Sequence, residues 1–121
     1  MQDRFRVRGW SVFDSGYYDD IQNMLFGEEN NMTLLDAISK DLVNEIIPEQ
    51  CTGLKDKNGK LIYEGDIVEV PVLYNEIPTG KKQRCKVYYK HGAFNIYAIK
   101  SEYLKVIGNI HENPELLEED K

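Results

Sequence analysis

Five short runs rich in Val, Ile, Tyr or Phe follow one another in the second half of this chain, at residues 61–63, 66–73, 84–89, 93–99 and 105–110. Each is bounded by Gly, Asn, Pro or charged residues, the punctuation that separates β-strands. Five short strands in about fifty residues imply long-range pairing, so the pattern predicts a small bent sheet or SH3-like barrel. Lys90-His91-Gly92 separates two of the runs, and Gly92 can take the positive φ of a tight hairpin. Asn58-Gly59, within residues 56–59, is a second strong turn signal. Residues 75–83, with Pro78 and Gly80, read as an exposed loop.

The first half has a different texture. Arg4, Arg6 and Arg8 alternate with Phe5, Val7 and, after Gly9, Trp10, which predicts a half-buried strand with a basic outer face. Residues 14–31 are polar but interrupted by Tyr17, Tyr18, Ile21, Met24, Leu25 and Phe26, and read as a turn, a short strand or helical turn, and an exposed loop. Thr33 followed by Asp36 has the form of a helix N-cap, and Leu34, Leu35, Ile38, Leu42, Val43 and Ile46 recur at three-to-four-residue spacing. An amphipathic helix from about residue 34 to about 44 follows, stopped before Pro48. The expected fold is mainly β (α+β): an N-terminal strand, one amphipathic helix, and a bent sheet or SH3-like barrel in the C-terminal half.

A length of 121 residues suits a single domain over 1–121, with a strand and helix part (1–50), a β unit (51–111) and an acidic tail (112–121) that frays after Pro114. A net charge of −6 opposes indiscriminate binding to phosphate backbones. Residues 1–6 lack the apolar stretch of a secretory signal, and no window approaches the roughly 20 apolar residues of a membrane span. The expectation is a cytoplasmic protein without membrane contact, in which Cys51 and Cys85 stay reduced. Asn31-Met32-Thr33 matches a glycosylation sequon, which has meaning only on export.

Several tempting sites fail on spacing. Gly53, Gly59 and Lys60 hint at a phosphate loop, but the spacing is one residue too long and Leu61 stands where a Mg²⁺-binding hydroxyl is needed. Asp56-Lys57-Asn58-Gly59 lacks the further oxygen ligands of a calcium loop. His111-Glu112 is not followed by the second His of a zinc protease, and His91 has no Cys or His neighbour at ligand spacing. Ser11, Ser15, Ser39 and Ser101 sit in no nucleophile motif. No catalytic, cofactor-binding or metal-binding residue is therefore assigned. Glu64 and Asp66, flanking Gly65, could serve a hydrolase if burial raised one pKa, but fixing a turn is the simpler role.

Local charge resists the bland readings. Lys81, Lys82, Arg84, Lys86 and Lys90 cluster around Cys85, beside Tyr88, Tyr89, Phe94 and Tyr97. Small barrels hold single-stranded nucleic acid with basic groups interleaved with aromatics, which makes Lys81, Lys82, Arg84, Lys86, Tyr88 and Tyr89 the candidate site for that function. The plainer account is that tyrosines pack the sheet while lysines guard its edge against aggregation.

Cys51-Thr52-Gly53-Leu54-Lys55-Asp56-Lys57-Asn58-Gly59-Lys60-Leu61-Ile62-Tyr63-Glu64-Gly65-Asp66-Ile67-Val68 resembles the signature segment of the YopX family of phage and prophage proteins. The opening Arg4-Phe5-Arg6-Val7-Arg8-Gly9-Trp10 and the closing Val106-Ile107-Gly108-Asn109-Ile110-His111-Glu112-Asn113-Pro114-Glu115-Leu116-Leu117 are similar to the family's ends, while residues 27–47 depart in reading as helical. The resemblance implies a small, mainly β protein of a bacterial host cell, encoded by a phage or prophage, and supplies no activity, cofactor or catalytic residue. Missing catalytic motifs, acidic charge and available β edges favour a non-enzymatic accessory protein that binds a protein partner or itself, with nucleic-acid binding as the alternative.

Overall fold

The computed structural model describes residues 5–27 and 31–118. Arg4, residues 28–30 of the predicted loop and residues 119–121 of the predicted acidic tail lie outside the described residues. The fold is mainly β with one short helix, as the sequence predicts. The chain divides into two compact units, residues 1–53 and 54–121.

In the first unit, β1 (Val7–Ser11) forms antiparallel pairs with β2 (Gly16–Tyr18) on one side and β5 (Ile46–Lys55) on the other. The expected basic outer face is corrected here: Arg8 is buried, because both faces of β1 are covered from Arg8 to Ser11. Its guanidinium pairs with buried Glu49 at 2.9 Å and lies over the Tyr17 ring at 3.9 Å, and the Tyr17 hydroxyl donates to the same carboxylate at 3.0 Å. β3 (Leu25–Phe26) pairs with β4 (Met32–Thr33), which leads into α1 (Leu34–Ser39).

Thr33 caps α1 as predicted, its hydroxyl accepting from Asp36 N at 3.1 Å. The helix is shorter than the predicted 34–44, because Asp41 adopts a left-handed φ of 65° and ends it. Ile46 and Pro48, assigned above to the helix and its stop, belong to β5. Cys51 N donates to Arg6 O and Val12 N to Glu45 O, so Pro48, opposite Gly9, falls at a position that makes no ladder bond to β1 and its missing N–H is not needed there.

Gly9 is required by packing. A Cβ there would stand 2.5 Å from Ile46 Cγ2 and 3.3 Å from Ile21 Cδ1, and Ile21 is fully buried. Gly9→Ala should destabilise the protein by about 1–3 kcal/mol through overpacking. A thermal melt unchanged from wild type would show that the site relaxes freely.

In the second unit, the turn at 57–59 returns the chain to β6 (Leu61–Tyr63), with Asp56 N donating to Lys60 O at 2.8 Å. A three-stranded antiparallel sheet follows in the order β11-β7-β8, from β7 (Asp66–Tyr74), β8 (Ile77–Lys86) and β11 (Lys105–Asn109). Ile62, Val68, Val70, Val87, Phe94, Ile96 and Leu104 form its core. The expected loop at 75–83 is corrected: Asn75 and Glu76, both at positive φ, make a two-residue turn, and residues 77–86 are the second arm of a long hairpin. The predicted hairpin turn at His91-Gly92 joins β9 (Tyr89–Lys90) to β10 (Ala93–Phe94).

The run 93–99 is a strand only at its start. Asn95 ends it: its amide oxygen accepts from Tyr88 N and its amide nitrogen donates to Lys86 O, each at 2.9 Å, so the side chain stands where a pairing strand would continue. Successive turns carry the chain on through fully buried Ile96. The tail also departs from expectation, since Pro114–Leu117 forms a 3-10 turn, from which Leu116 O accepts a bond from Arg84 Nη1 at 3.3 Å.

Candidate functional site

Along β8, nine of the ten residues are exposed and only Cys85 is partly covered. Antiparallel pairing matches Lys86 with Ile67, Cys85 with Val68, Arg84 with Glu69, Gln83 with Val70 and Lys82 with Pro71. Directly opposed residues share a face of a sheet. Cys85 and Gln83 therefore lie on the core face with Val68 and Val70, and Lys82, Arg84 and Lys86 line the other.

On that face Glu69 is the central carboxylate. It stands opposite Arg84 on β8 and opposite Lys105 on β11, and its Oε1 lies 3.6 Å from Lys82 Nζ. A shallow cleft of about 170 Å³ beside it is lined by Lys57, Lys82, Lys105, Glu69, Glu102 and Tyr103, with Val70, Pro71 and Pro78. Lys57, Lys105 and Glu69 escape a sequence reading because no local motif ties them to β8; only strand register does.

The backbone of β8 is as informative as its side chains. Val87 N donates to Asp66 O, which places the ladder bonds to β7 at Val87, Cys85 and Gln83 by alternation. The N–H and C=O groups of Lys82 and Arg84 then point away from β7, along the outer edge of the sheet. Asn95 closes this edge at Lys86, and Pro78 bounds it at the other end, beside the closing pair Tyr74 and Ile77.

Of the predicted site residues, Lys82, Arg84 and Lys86 come together at alternate positions. Lys81 falls in the irregular stretch before Lys82, where the register shifts, and its N–H donates to Thr79 Oγ1 at 3.3 Å. Tyr88 and Tyr89 follow the strand, both exposed, and the Tyr89 ring packs edge-on to Phe94, which packs edge-on to Tyr97. Of the arginines expected on the outer face of β1, Arg8 is committed to Glu49.

The core face of the hairpin is open beyond Val70. A groove of about 490 Å³ lies there, lined by Val70, Leu73, Gln83, Ile99 and Tyr103 among others, with Glu76 and Lys100 also on its wall. Leu73, Tyr74 and Ile77 at the hairpin tip are exposed.

The carboxylates of the signature segment hold the backbone in place. Asp56 is buried; its Oδ1 accepts from Asn58 N and Lys60 N, and its Oδ2 from Val106 N, each at 2.9 Å. Burial alone would push this carboxyl up, but those three amides and the Lys60 charge outweigh it and hold the pKa below the ordinary value. Asp66, also buried, accepts from Tyr63 N at 2.8 Å, and Glu64 is half-buried beside it in sequence. Among the described residues, no three His, Cys, Asp or Glu side chains converge to hold a metal ion. Burial pushes the Cys85 thiol up, away from the reactive thiolate.

These features define a small, mainly β protein with an exposed basic strand, β8, at the edge of a three-stranded sheet. The chain belongs to the YopX family: the family model described as YopX protein matches residues 6–118. The crystal structure of protein EF1440 from Enterococcus faecalis is similar in fold, with a TM-score of 0.63 and 24% identity, covering 93% of this chain and 97% of that one. A comparison with curated proteins found no match. Among the described residues, no helix is long and apolar enough to cross a membrane.

Proposed function

We propose that this protein is a non-enzymatic accessory protein of a phage or prophage, working in the cytoplasm of the bacterial host, and that it binds a protein partner by strand addition at β8. One observation carries this reading. The edge between Pro78 and Asn95 directs the backbone N–H and C=O groups of Lys82 and Arg84 outward, the arrangement that accepts an added strand.

Proline at position 84 would remove an outward N–H while sparing the bonds to β7, and Arg84→Ala controls for the lost charge. Both variants should keep the wild-type melting behaviour. Pull-down from infected host lysate should recover a partner with wild type and with Arg84→Ala but lose it with Arg84→Pro. A monomer by light scattering with no partner, or a partner indifferent to Arg84→Pro, overturns the reading.

A second reading, single-stranded nucleic acid held by Lys81, Lys82, Arg84, Lys86, Tyr88 and Tyr89, draws on charge segregation. Residues 77–101 carry Lys81, Lys82, Arg84, Lys86, Lys90 and Lys100 and no acidic residue, in a chain of net charge −6. Two features weigh against it: Glu69 lies beside the basic row on β7, and the Tyr89 ring is packed against Phe94. Absence of binding to single-stranded DNA at low salt eliminates it.

A further inference from the structure

We propose that the segment added at β8 is an extended stretch of another protein in which acidic and apolar residues alternate. The inference rests on strand addition as the mode of binding and specifies what is added. A strand laid beside β8 sends every second side chain to the face of Lys82, Arg84 and Lys86, and the intervening ones to the face of Gln83.

The first face asks for carboxylates. Among the described residues, Lys82 is the member of this row with a carboxylate in ion-pair range, at 3.6 Å from Glu69, while Arg84 bonds to the neutral carbonyl of Leu116. Asp or Glu directly across from Arg84 and Lys86 would meet their charge, and cross-strand pairs of opposite charge are favourable.

The second face asks for apolar side chains. The groove of about 490 Å³ beside Gln83 has apolar walls at Val70, Leu73, Ile99 and Tyr103, and Glu76 and Lys100 also line it. Side chains from alternate positions of an added strand enter it from the edge.

A second copy of this chain fits poorly. Two β8 edges related by a two-fold axis normal to the sheet would set Arg84 against Arg84 and Lys82 against Lys86, placing like charges directly opposite. Single-stranded nucleic acid would satisfy the basic row but has no use for outward amides or for the apolar walls of the groove.

The test is fluorescence anisotropy with four labelled probes: a capped peptide of alternating Glu and Leu, the same composition with its Glu and Leu in separate blocks, an alternating Lys and Leu peptide, and oligo-dT. The alternating acidic peptide should bind at least about tenfold more tightly than any other probe. Its binding should weaken with salt and be lost in Arg84→Pro beyond the loss in Arg84→Ala. Equal binding of the blocked peptide, or preference for oligo-dT, overturns the proposal. Equal binding of the basic peptide overturns the acidic specificity alone. The lysate partner's sensitivity to Arg84→Pro separately decides whether strand addition stands.

Discussion

Glu49→Ala should destabilise the protein by about 3–5 kcal/mol, because it withdraws the carboxylate from a buried Arg8. Arg8 and Glu49 are 7% and 4% exposed, and the pair is joined by a 2.9 Å contact. Glu49 also accepts the Tyr17 hydroxyl, whose ring lies under the guanidinium, so one substitution disturbs a charge pair, a hydrogen bond and a cation–π contact together. The informative companion is the double variant Arg8→Met/Glu49→Leu. Removing both charges avoids stranding either one, so the double variant should be markedly more stable than Glu49→Ala, as apolar replacements of buried pairs often are. Urea denaturation reads both. A double variant as unstable as the single one would mean that the pair's geometry, rather than its neutralisation, holds β1 to β5.

Asp56→Ala should cost about 3–5 kcal/mol, since three backbone amides lose a charged acceptor and hydrogen bonds of that kind are worth about 1.5–3 kcal/mol each when not fully replaced by water. The carboxylate joins the turn at 57–59 to β11 through Val106, so the loss affects the second unit's sheet as well as the turn. Asp56→Asn retains an acceptor oxygen and should cost less. The pH dependence has a definite sign. The folded-state pKa lies below the ordinary value of 3.8, so the carboxylate's contribution is fully present above that value and is lost as pH falls through the lower folded-state pKa. Acid denaturation followed by circular dichroism should therefore show a limb below pH 3.8 that Asp56→Asn flattens. An identical acid limb in the variant would assign it to other carboxylates.

Much of the local structure was legible. Thr33 with Asp36, Asn58-Gly59 and His91-Gly92 each carry their conformation in two to four residues, because caps and tight turns are decided by side-chain oxygens near the backbone and by tolerance of positive φ. The helix was over-read because Ile46 continues the spacing of Leu34 and Ile38, whereas Asp41 in a left-handed conformation ends α1 and leaves Ile46 to pair with Ser11. β8 was under-read because Pro78 and Gly80 are loop signals locally. An edge strand can carry a proline whose missing N–H faces outward.

The candidate site divides in the same way. Residue order alone exposed the run of cations from Lys81 to Lys90 and the lack of a catalytic motif, and residues 51–68 together with the chain's two ends pointed to the family. These are properties of neighbours in sequence. Tertiary structure decided that Arg8 turns to a partner 41 residues away, that Lys82, Arg84 and Lys86 share a face with Glu69 and Lys105, and that Asn95 closes one end of the β8 edge. Strand register sets which side chains share a face, and register is fixed by long-range pairing that no short window of sequence contains.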